Sequence, residues 1–193
     1  MAFLQSERIE LRPLTETDFE LIASWLNDGE VTTYMFYGQR PQSVRQVKEW
    51  IEEDLISEKN IILMIVDKVS GETIGFTGYY GLHFTARKGE LRILLGDKSV
   101  WGRGYGTEVI ELMTFYGFDR LNLERVYLGC TADNKRAEGA YIKAGFKLEG
   151  RAKHDIYRNS QYYDAIHLGL IREDYYKELF EAHKKRFSNL NSI

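Results

Sequence analysis

The feature that most limits the fold of this chain is a glycine loop between a strand pattern and a helix pattern. Residues 89–97, GELRILLGD, are typical of a central strand, and glycines then stand at positions 102, 104 and 106. Apolar residues recur at helical spacing over 104–118. Bare backbone N–H groups at a helix N-terminus favour an anion, so this arrangement predicts an anion-binding cradle. The alternative interpretation is a tight turn that needs glycine for positive φ.

The spacing of these glycines excludes two common phosphate-binding motifs. The loop reads G-x-G-x-G-T, so Thr107 stands where the dinucleotide fingerprint requires its third glycine. No G-K-[ST] follows, which removes the P-loop. The glycines alone therefore do not identify which anion the cradle would bind.

The rest of the pattern predicts one α+β, or mixed α/β, domain over residues 1–193, a length that suits a single core. Alternating or continuous apolar runs predict strands, and helical spacing predicts helices on both sides of the glycine loop. A hairpin is expected across RNSQ, followed by a last strand and a terminal helix. The expected strands span 8–14, 61–66, 73–80, 89–97, 123–133 and 162–170, and the expected helices span 15–28, 43–56, 104–118 and 134–146.

Composition argues against several classes of partner. A net charge of −3 gives no basic footprint for nucleic acid. The single Cys130 and four scattered histidines lack metal-ligand spacing, so we expect no metal. The chain has neither a long apolar run nor a leader pattern, so we expect a cytoplasmic protein that does not enter a membrane.

Four stretches together resemble one family. WGRGYGTE (101–108) and NKRAEGAYIKAGF (134–146) are similar to the acetyl-CoA pyrophosphate loop and the following helix of the GNAT acyltransferase superfamily. RIELRPLTETDFELIASWLND (8–28) and YRNSQYYDAIHLGLIREDY (157–175) resemble its branch of ribosomal-protein N-terminal acetyltransferases and their small-molecule relatives. The resemblance covers nearly the whole chain and implies a mixed, mostly antiparallel sheet of about seven strands flanked by helices.

The resemblance implies acetyl-CoA, or a closely related acyl-CoA, as co-substrate. Backbone N–H groups from Arg103 to Thr107 would hold its pyrophosphate, and the pantetheine arm would pair with the strand at Leu94–Gly96. Trp101 departs from the Gln or Arg that is frequent there in the family, but the backbone donors do not depend on it. The implied cofactor-binding residues are Leu94, Leu95, Gly96, Arg103, Gly104, Tyr105, Gly106, Thr107, Asn134, Arg136 and Ala137.

The same resemblance assigns the chemistry of direct acyl transfer. Asn134 and Tyr141 are seven residues apart, two helical turns or about 10.5 Å, so both side chains point the same way. Asn134 would anchor the pantetheine, and Tyr141 would give a proton to the departing thiolate. Glu90 stands where relatives place the acid that takes the proton of the amine. We interpret Cys130 as structural, because no histidine lies in its motif.

The acceptor pocket is expected from the least periodic segments, which are rich in aromatic residues. Their flat faces suit a ring such as a sugar or nucleobase. The loop is not rich in acids, so a single primary amine on a nucleotide-linked amino sugar is preferred to a polyamine. A protein N-terminus, for example of a ribosomal protein, and a non-catalytic acyl-CoA-binding module are the alternatives, and a homodimer is expected. The candidate acceptor residues are Glu30, Tyr34, Phe36, Tyr79, Tyr80, Phe84, Tyr163 and Asp164, the carboxylates also being candidate bases.

Overall fold

A mixed sheet organises the part of the chain that this computed structural model describes, residues 2–35 and 40–188. Its eight strands lie in the order β1-β2-β3-β4-β5-β6-β8-β7, and β5 and β6 are parallel whereas the other neighbours are antiparallel. The strands are β1 (Leu4–Gln5), β2 (Ile9–Arg12), β3 (Ile61–Asp67), β4 (Thr73–His83), β5 (Lys88–Leu95), β6 (Arg125–Thr131), β7 (Lys147–Arg158) and β8 (Gln161–Ile171).

Helices cover the sheet from both sides. None of them, over the described ranges, is long and apolar enough to cross a membrane. The helices are α1 (Asp18–Leu26), α2 (Val44–Ile56), α3 (Tyr105–Asp119), α4 (Lys135–Lys143), α5 (Arg172–Glu178) and α6 (Phe180–Phe187), with a 3-10 turn at Lys98–Val100.

The central strand β5 is apolar on both faces because each face meets a different core. Leu91 packs in the core beneath α3, whereas Leu94 belongs to a second core that contains Ile22 of α1 and Ile51 of α2. Side chains alternate along a strand, so residues of opposite parity serve the two cores. Burial on both faces explains why β5 ends in three consecutive apolar residues, Ile93 to Leu95, after the charged Lys88, Glu90 and Arg92.

The parallel pair β5–β6 separates part-way along its length. Pairing stops after Glu90 and Tyr127, although β5 continues to Leu95 and β6 to Thr131. The two strand ends therefore diverge and leave an open backbone edge on β5. The N-termini of α3 and α4 stand at this gap, so the fold places a cleft where the sheet splits.

The fold prediction is confirmed, with eight strands in place of about seven. Two details differ. β1 has only two residues, too few to give a period in the sequence. The expected terminal helix is broken at Leu179, whose φ of −123° and ψ of −29° leave helical geometry and separate α5 from α6.

Candidate active site

The glycine loop has the conformation that both interpretations of its sequence required. Gly102 and Gly104 have φ of +73° and +83°, a left-handed region that costs a side-chain-bearing residue about 1–2 kcal/mol. Gly104 is also the N-cap of α3, so the N–H groups of Tyr105, Gly106 and Thr107 lie in the first turn, where a helix has no internal partners for them. The tight turn and the predicted anion-binding cradle are therefore two descriptions of the same loop.

A buried ion pair between Glu108 and Arg8, together with Ser6, attaches this loop to the N-terminal strands, and we call these three residues the ionic latch. Glu108 in the first turn of α3 is 2% exposed, and it accepts hydrogen bonds from Ser6 Oγ at 2.5 Å and Arg8 Nε at 2.7 Å. Burial raises the pKa of Glu108, but the hydrogen bonds from Ser6 and Arg8 outweigh it and leave the pKa lowered. Arg8 also donates to the carbonyl of Arg103 at 3.0 Å, which joins β2 to the loop.

The backbone N–H of Arg103, predicted to be the first donor of the cradle, is paired within the loop. It donates to the carbonyl of Val100 at 3.4 Å, so the donors begin after it. The backbone N–H of Gly96 is also paired within the fold. It donates to the carbonyl of Ile74 at 2.9 Å, and the ring of Trp25 occupies the space where a Cβ would lie. The backbone N–H groups of Arg103 and Gly96 are therefore already hydrogen-bonded within the protein.

A cleft of about 430 Å³ runs from the glycine loop along the split between β5 and β6. It brings together residues from β5, the glycine loop, α3 and α4, together with the segment that follows α1. Among the predicted residues it is lined by Tyr34, Leu94, Leu95, Gly104, Tyr105, Gly106, Thr107, Asn134, Arg136, Ala137 and Tyr141.

Helix α4 carries two of the predicted catalytic groups into this cleft. Asn134 is its N-cap and accepts from the N–H of Ala137 at 3.1 Å, so the side-chain oxygen serves the helix and the amide nitrogen remains for a ligand. Tyr141, two turns later, is 7% exposed. Burial, and then Cys130 and Glu90, raise the pKa of Tyr141 well above its ordinary value, so the phenol keeps its proton.

Glu90 lies at the point where the sheet splits. It is the last β5 residue paired with β6, and its Oε2 accepts from Arg92 Nη2 at 2.8 Å. Its side chain is 31% exposed and thus reaches solvent. This position is compatible with proton transfer to water, which stays a prediction.

The other two candidate carboxylates are engaged elsewhere. Asp164 accepts from the backbone N–H of His154 at 2.9 Å and from Arg151 Nε at 2.7 Å, and these bonds lower its pKa. Glu30 accepts from Lys98 Nζ at 3.0 Å and is exposed. Asp164 is therefore bonded within the β7–β8 hairpin, and its role as a base stays a prediction.

Most of the predicted acceptor aromatics lie away from the cleft. Tyr79 is 0% exposed and donates to the carbonyl of Met113 at 2.8 Å, because β4 passes through the centre of the sheet beneath α3. Tyr80 is buried with the guanidinium of Arg92 4.6 Å from its ring centre. Phe84 is exposed at the end of β4, and Tyr163 bonds Gln161 on the hairpin. Phe36 lies outside the described residues.

A sequence profile described as an acetyltransferase (GNAT) domain matches residues 8–147. This span contains the glycine loop, Glu90 and the whole of α4. The chain belongs to the GNAT acetyltransferase family. It is accordingly an acyl-CoA-dependent N-acyltransferase, and the resemblance seen in the sequence is confirmed.

Individual relatives of this GNAT acetyltransferase cover most of its length. Spermidine N(1)-acetyltransferase of Escherichia coli (strain K12) is 27% identical over 170 residues, 88% of this chain and 89% of the relative. The uncharacterized N-acetyltransferase YoaA of Bacillus subtilis (strain 168) is 30% identical over 173 residues, 88% and 96% of the two chains. The solved spermidine N-acetyltransferase from Vibrio cholerae, in complex with CoA and spermine, has a TM-score of 0.80 at 22% identity, covering 88% and 98%. That similarity supports the fold.

Several groups of the GNAT cleft were missed from the sequence. Trp101 donates its Nε1–H to the carbonyl of Leu95 at 2.9 Å, and the guanidinium of Arg136 lies 4.1 Å from the centre of its ring. Lys143 also lines the cleft, seven residues after Arg136 on α4. The spacing of Lys143 from Arg136, two helical turns, could have predicted that Lys143 lines the cleft as well. The contacts of Trp101 could not be predicted in this way, because they depend on the turn at Lys98–Val100. Within the described ranges, His, Cys, Asp and Glu do not cluster as a metal site.

Proposed function

We propose that this GNAT enzyme transfers the acetyl group of acetyl-CoA directly to a primary amine of an aliphatic polyamine. The transfer chemistry is carried by one observation, the buried side chain of Tyr141 in the same cleft as the N-terminus of α3. The polyamine is supported by the spermidine N(1)-acetyltransferase that is 27% identical over most of this chain. It takes the place of the amino sugar preferred from the sequence.

The structure supports this change of acceptor in two ways. The rings of Tyr79 and Tyr80 are buried, which removes two of the flat faces expected for a sugar. In addition, the segment after α1 holds an ammonium group between two carboxylates, because Lys98 Nζ lies 3.0 Å from both Asp28 and Glu30. These pairs are exposed and worth only about 0–1 kcal/mol, so they serve as an example of carboxylates in this segment that accept an ammonium group.

The residues of the cleft divide the reaction among them. The first-turn N–H groups of α3 bind the pyrophosphate, and the open edge of β5 hydrogen-bonds the pantetheine. Glu90 accepts the proton that the amine loses, directly or through water, as the nitrogen bonds the thioester carbonyl carbon. Tyr141 donates its proton to the sulfur as the C–S bond breaks, and it is reprotonated from solvent.

An assay of thiol release with acetyl-CoA and a panel of amines tests this function. We expect spermidine to give a higher kcat/KM than a nucleotide-linked amino sugar or a peptide with a free N-terminus. Tyr141→Phe should lower kcat by about 10- to 1,000-fold, because the proton donor to the thiolate is lost, while acetyl-CoA affinity changes less than about threefold. Tyr162→Phe, an exposed hairpin tyrosine, is the matched control and should leave kcat unchanged.

Four results would count against the proposal. Faster acetylation of the peptide would favour a protein N-terminus as the acceptor, and faster acetylation of the amino sugar would restore the first expectation. Tight CoA binding without transfer to any amine would remove the enzymatic mechanism. An undiminished kcat in Tyr141→Phe would remove the proton donor alone.

A further inference from the structure

The segment after α1, residues 28–35, consists of consecutive hydrogen-bonded turns, and we call it the wall. The N–H of Thr32 donates to the carbonyl of Asp28 at 3.0 Å, and the N–H of Met35 donates to the carbonyl of Thr32 at 2.9 Å. The carboxylate of Asp28 accepts from the N–H of Glu30 at 2.8 Å, as an N-cap does. Local hydrogen bonds therefore shape the segment but do not fix where it sits.

This wall forms one side of the catalytic cleft. Val31, Tyr34 and Met35 line the same cleft as Leu94 and Tyr141. The N-terminus of α3 and Tyr141 line this same cleft. A shift of residues 28–35 would therefore change the shape of the cleft in which the acceptor must meet Tyr141.

Two cationic side chains bond the wall to other parts of the chain, Lys98 from the 3-10 turn and Arg158 from β7. At its start, Lys98 bridges Asp28 and Glu30, but all three side chains are substantially exposed. At its end, Arg158 Nη1 donates to the carbonyl of Thr32 at 2.6 Å and to that of Met35 at 3.2 Å. The second tie is partly buried and spans 126 and 123 residues of chain. The carbonyl of Thr32 thus accepts from Arg158 as well as from the N–H of Met35, and the several N–H donors of a guanidinium suit it to bind two carbonyls at once.

We propose that Arg158 is a positioning residue that holds residues 28–35 against the cleft and thereby sets the affinity for the acceptor amine. Arg158 is the last residue of β7, so the hairpin supplies a rigid anchor. Its bonds go to backbone carbonyls, which makes the tie independent of the side chains that face the acceptor. The inference rests on the proposed function only in the choice of amine used as a probe.

The test compares Arg158→Ala and Arg158→Lys with Arg151→Ala. Arg151 is a suitable control because it lies on the same strand and its ion pair with Asp164 stays within the hairpin. Steady-state KM and kcat are measured with spermidine, acetyl-CoA affinity by calorimetry, and amide hydrogen exchange over residues 28–35 with acetyl-CoA present.

For Arg158→Ala we expect the KM for spermidine to rise about tenfold and exchange at Thr32 to Met35 to quicken about tenfold, while kcat and acetyl-CoA affinity change less than about threefold. Arg158→Lys should lie between this variant and the wild type, because one ammonium lacks the planar fork of the guanidinium. Arg151→Ala should behave as the wild type in all four measurements.

Unchanged exchange over residues 28–35 in Arg158→Ala would overturn the proposal, as would an unchanged KM with faster exchange. A parallel loss of acetyl-CoA affinity and thermal stability would also overturn it, since a general folding role would then explain every effect. If the wild type does not acetylate spermidine, the proposed acceptor fails. The exchange measurement would still decide the role of Arg158, and KM would be measured with the amine that is acetylated.

Discussion

Burial controls the chemistry of the two reactive side chains beside the cleft. It raises the pKa of Cys130 to about 11 and that of Tyr141 well above its ordinary value, so both keep their protons at neutral pH. A protonated thiol is a poor nucleophile, whereas a protonated phenol can supply the leaving thiolate. The two residues therefore favour direct transfer to the amine over a thioester on the enzyme.

At the residue scale, Gly104 allows α3 to begin without a side chain beside the N–H groups that are proposed to bind CoA. We expect Gly104→Val to weaken CoA binding at least tenfold by calorimetry, because a branched side chain at φ +83° would displace the first-turn N–H groups. Gly71→Val is the matched control, since Gly71 has φ +76° in an open turn between β3 and β4. Both variants should lose stability, but equal CoA affinity in both would contradict the cradle.

At the element scale, periodicity predicted what local sequence controls. The helix expected over 43–56 is observed as Val44–Ile56, with Ser43 and Gln46 forming a capping box, and the strand expected over 61–66 is Ile61–Asp67. Residues of α3 and α4 were predicted for the cleft because their motif fixes their spacing. Of the predicted acceptor residues that the structure describes, Tyr34 alone lines the cleft. The tie from Arg158 to Thr32 could not be predicted, since it joins segments 126 residues apart and leaves no local pattern.

The attachment of α3 to the β1–β2 hairpin also belongs to this scale. Glu108→Gln should lower the free energy of unfolding by about 1–3 kcal/mol, because Ser6 and Arg8 lose a buried charged acceptor. Denaturant titration at pH 7 measures the loss. Glu49→Gln, which breaks an exposed pair with Arg45 within α2, should cost less than about 0.5 kcal/mol. Equal costs for the two variants would show that the latch adds nothing to the fold.

Across the whole molecule, the cleft depends on elements that never reach it. Phe187 of α6 packs on Phe115 of α3, and Tyr175 of α5 stacks on Phe118 at 4.5 Å between ring centres. The C-terminal helices therefore pack on α3, whose first turn is the proposed anion-binding site. The buried side chain of His183 lies between these rings, 5.6 Å from that of Tyr175 and 5.5 Å from that of Phe187.

His183 makes this packing sensitive to acid. Burial, together with the nearby charge of Arg186, lowers the pKa of His183 to about 4, whereas the unfolded chain titrates near 6.5. The unfolded state thus binds more protons between these values, and stability falls as the pH drops below about 6.5. We expect the free energy of unfolding, measured in urea, to decrease by about 1 kcal/mol from pH 7.5 to pH 5.5.

The measurement stops at pH 5.5 because carboxylates with lowered pKa values, such as Glu108, further decrease the free energy of unfolding below pH 5. His183→Gln removes the titration, so its free energy of unfolding should stay level from pH 7.5 to pH 5.5. His167→Gln changes an exposed histidine and should keep the wild-type slope. A slope that persists in His183→Gln would place the acid sensitivity outside the packing of α5 and α6 on α3.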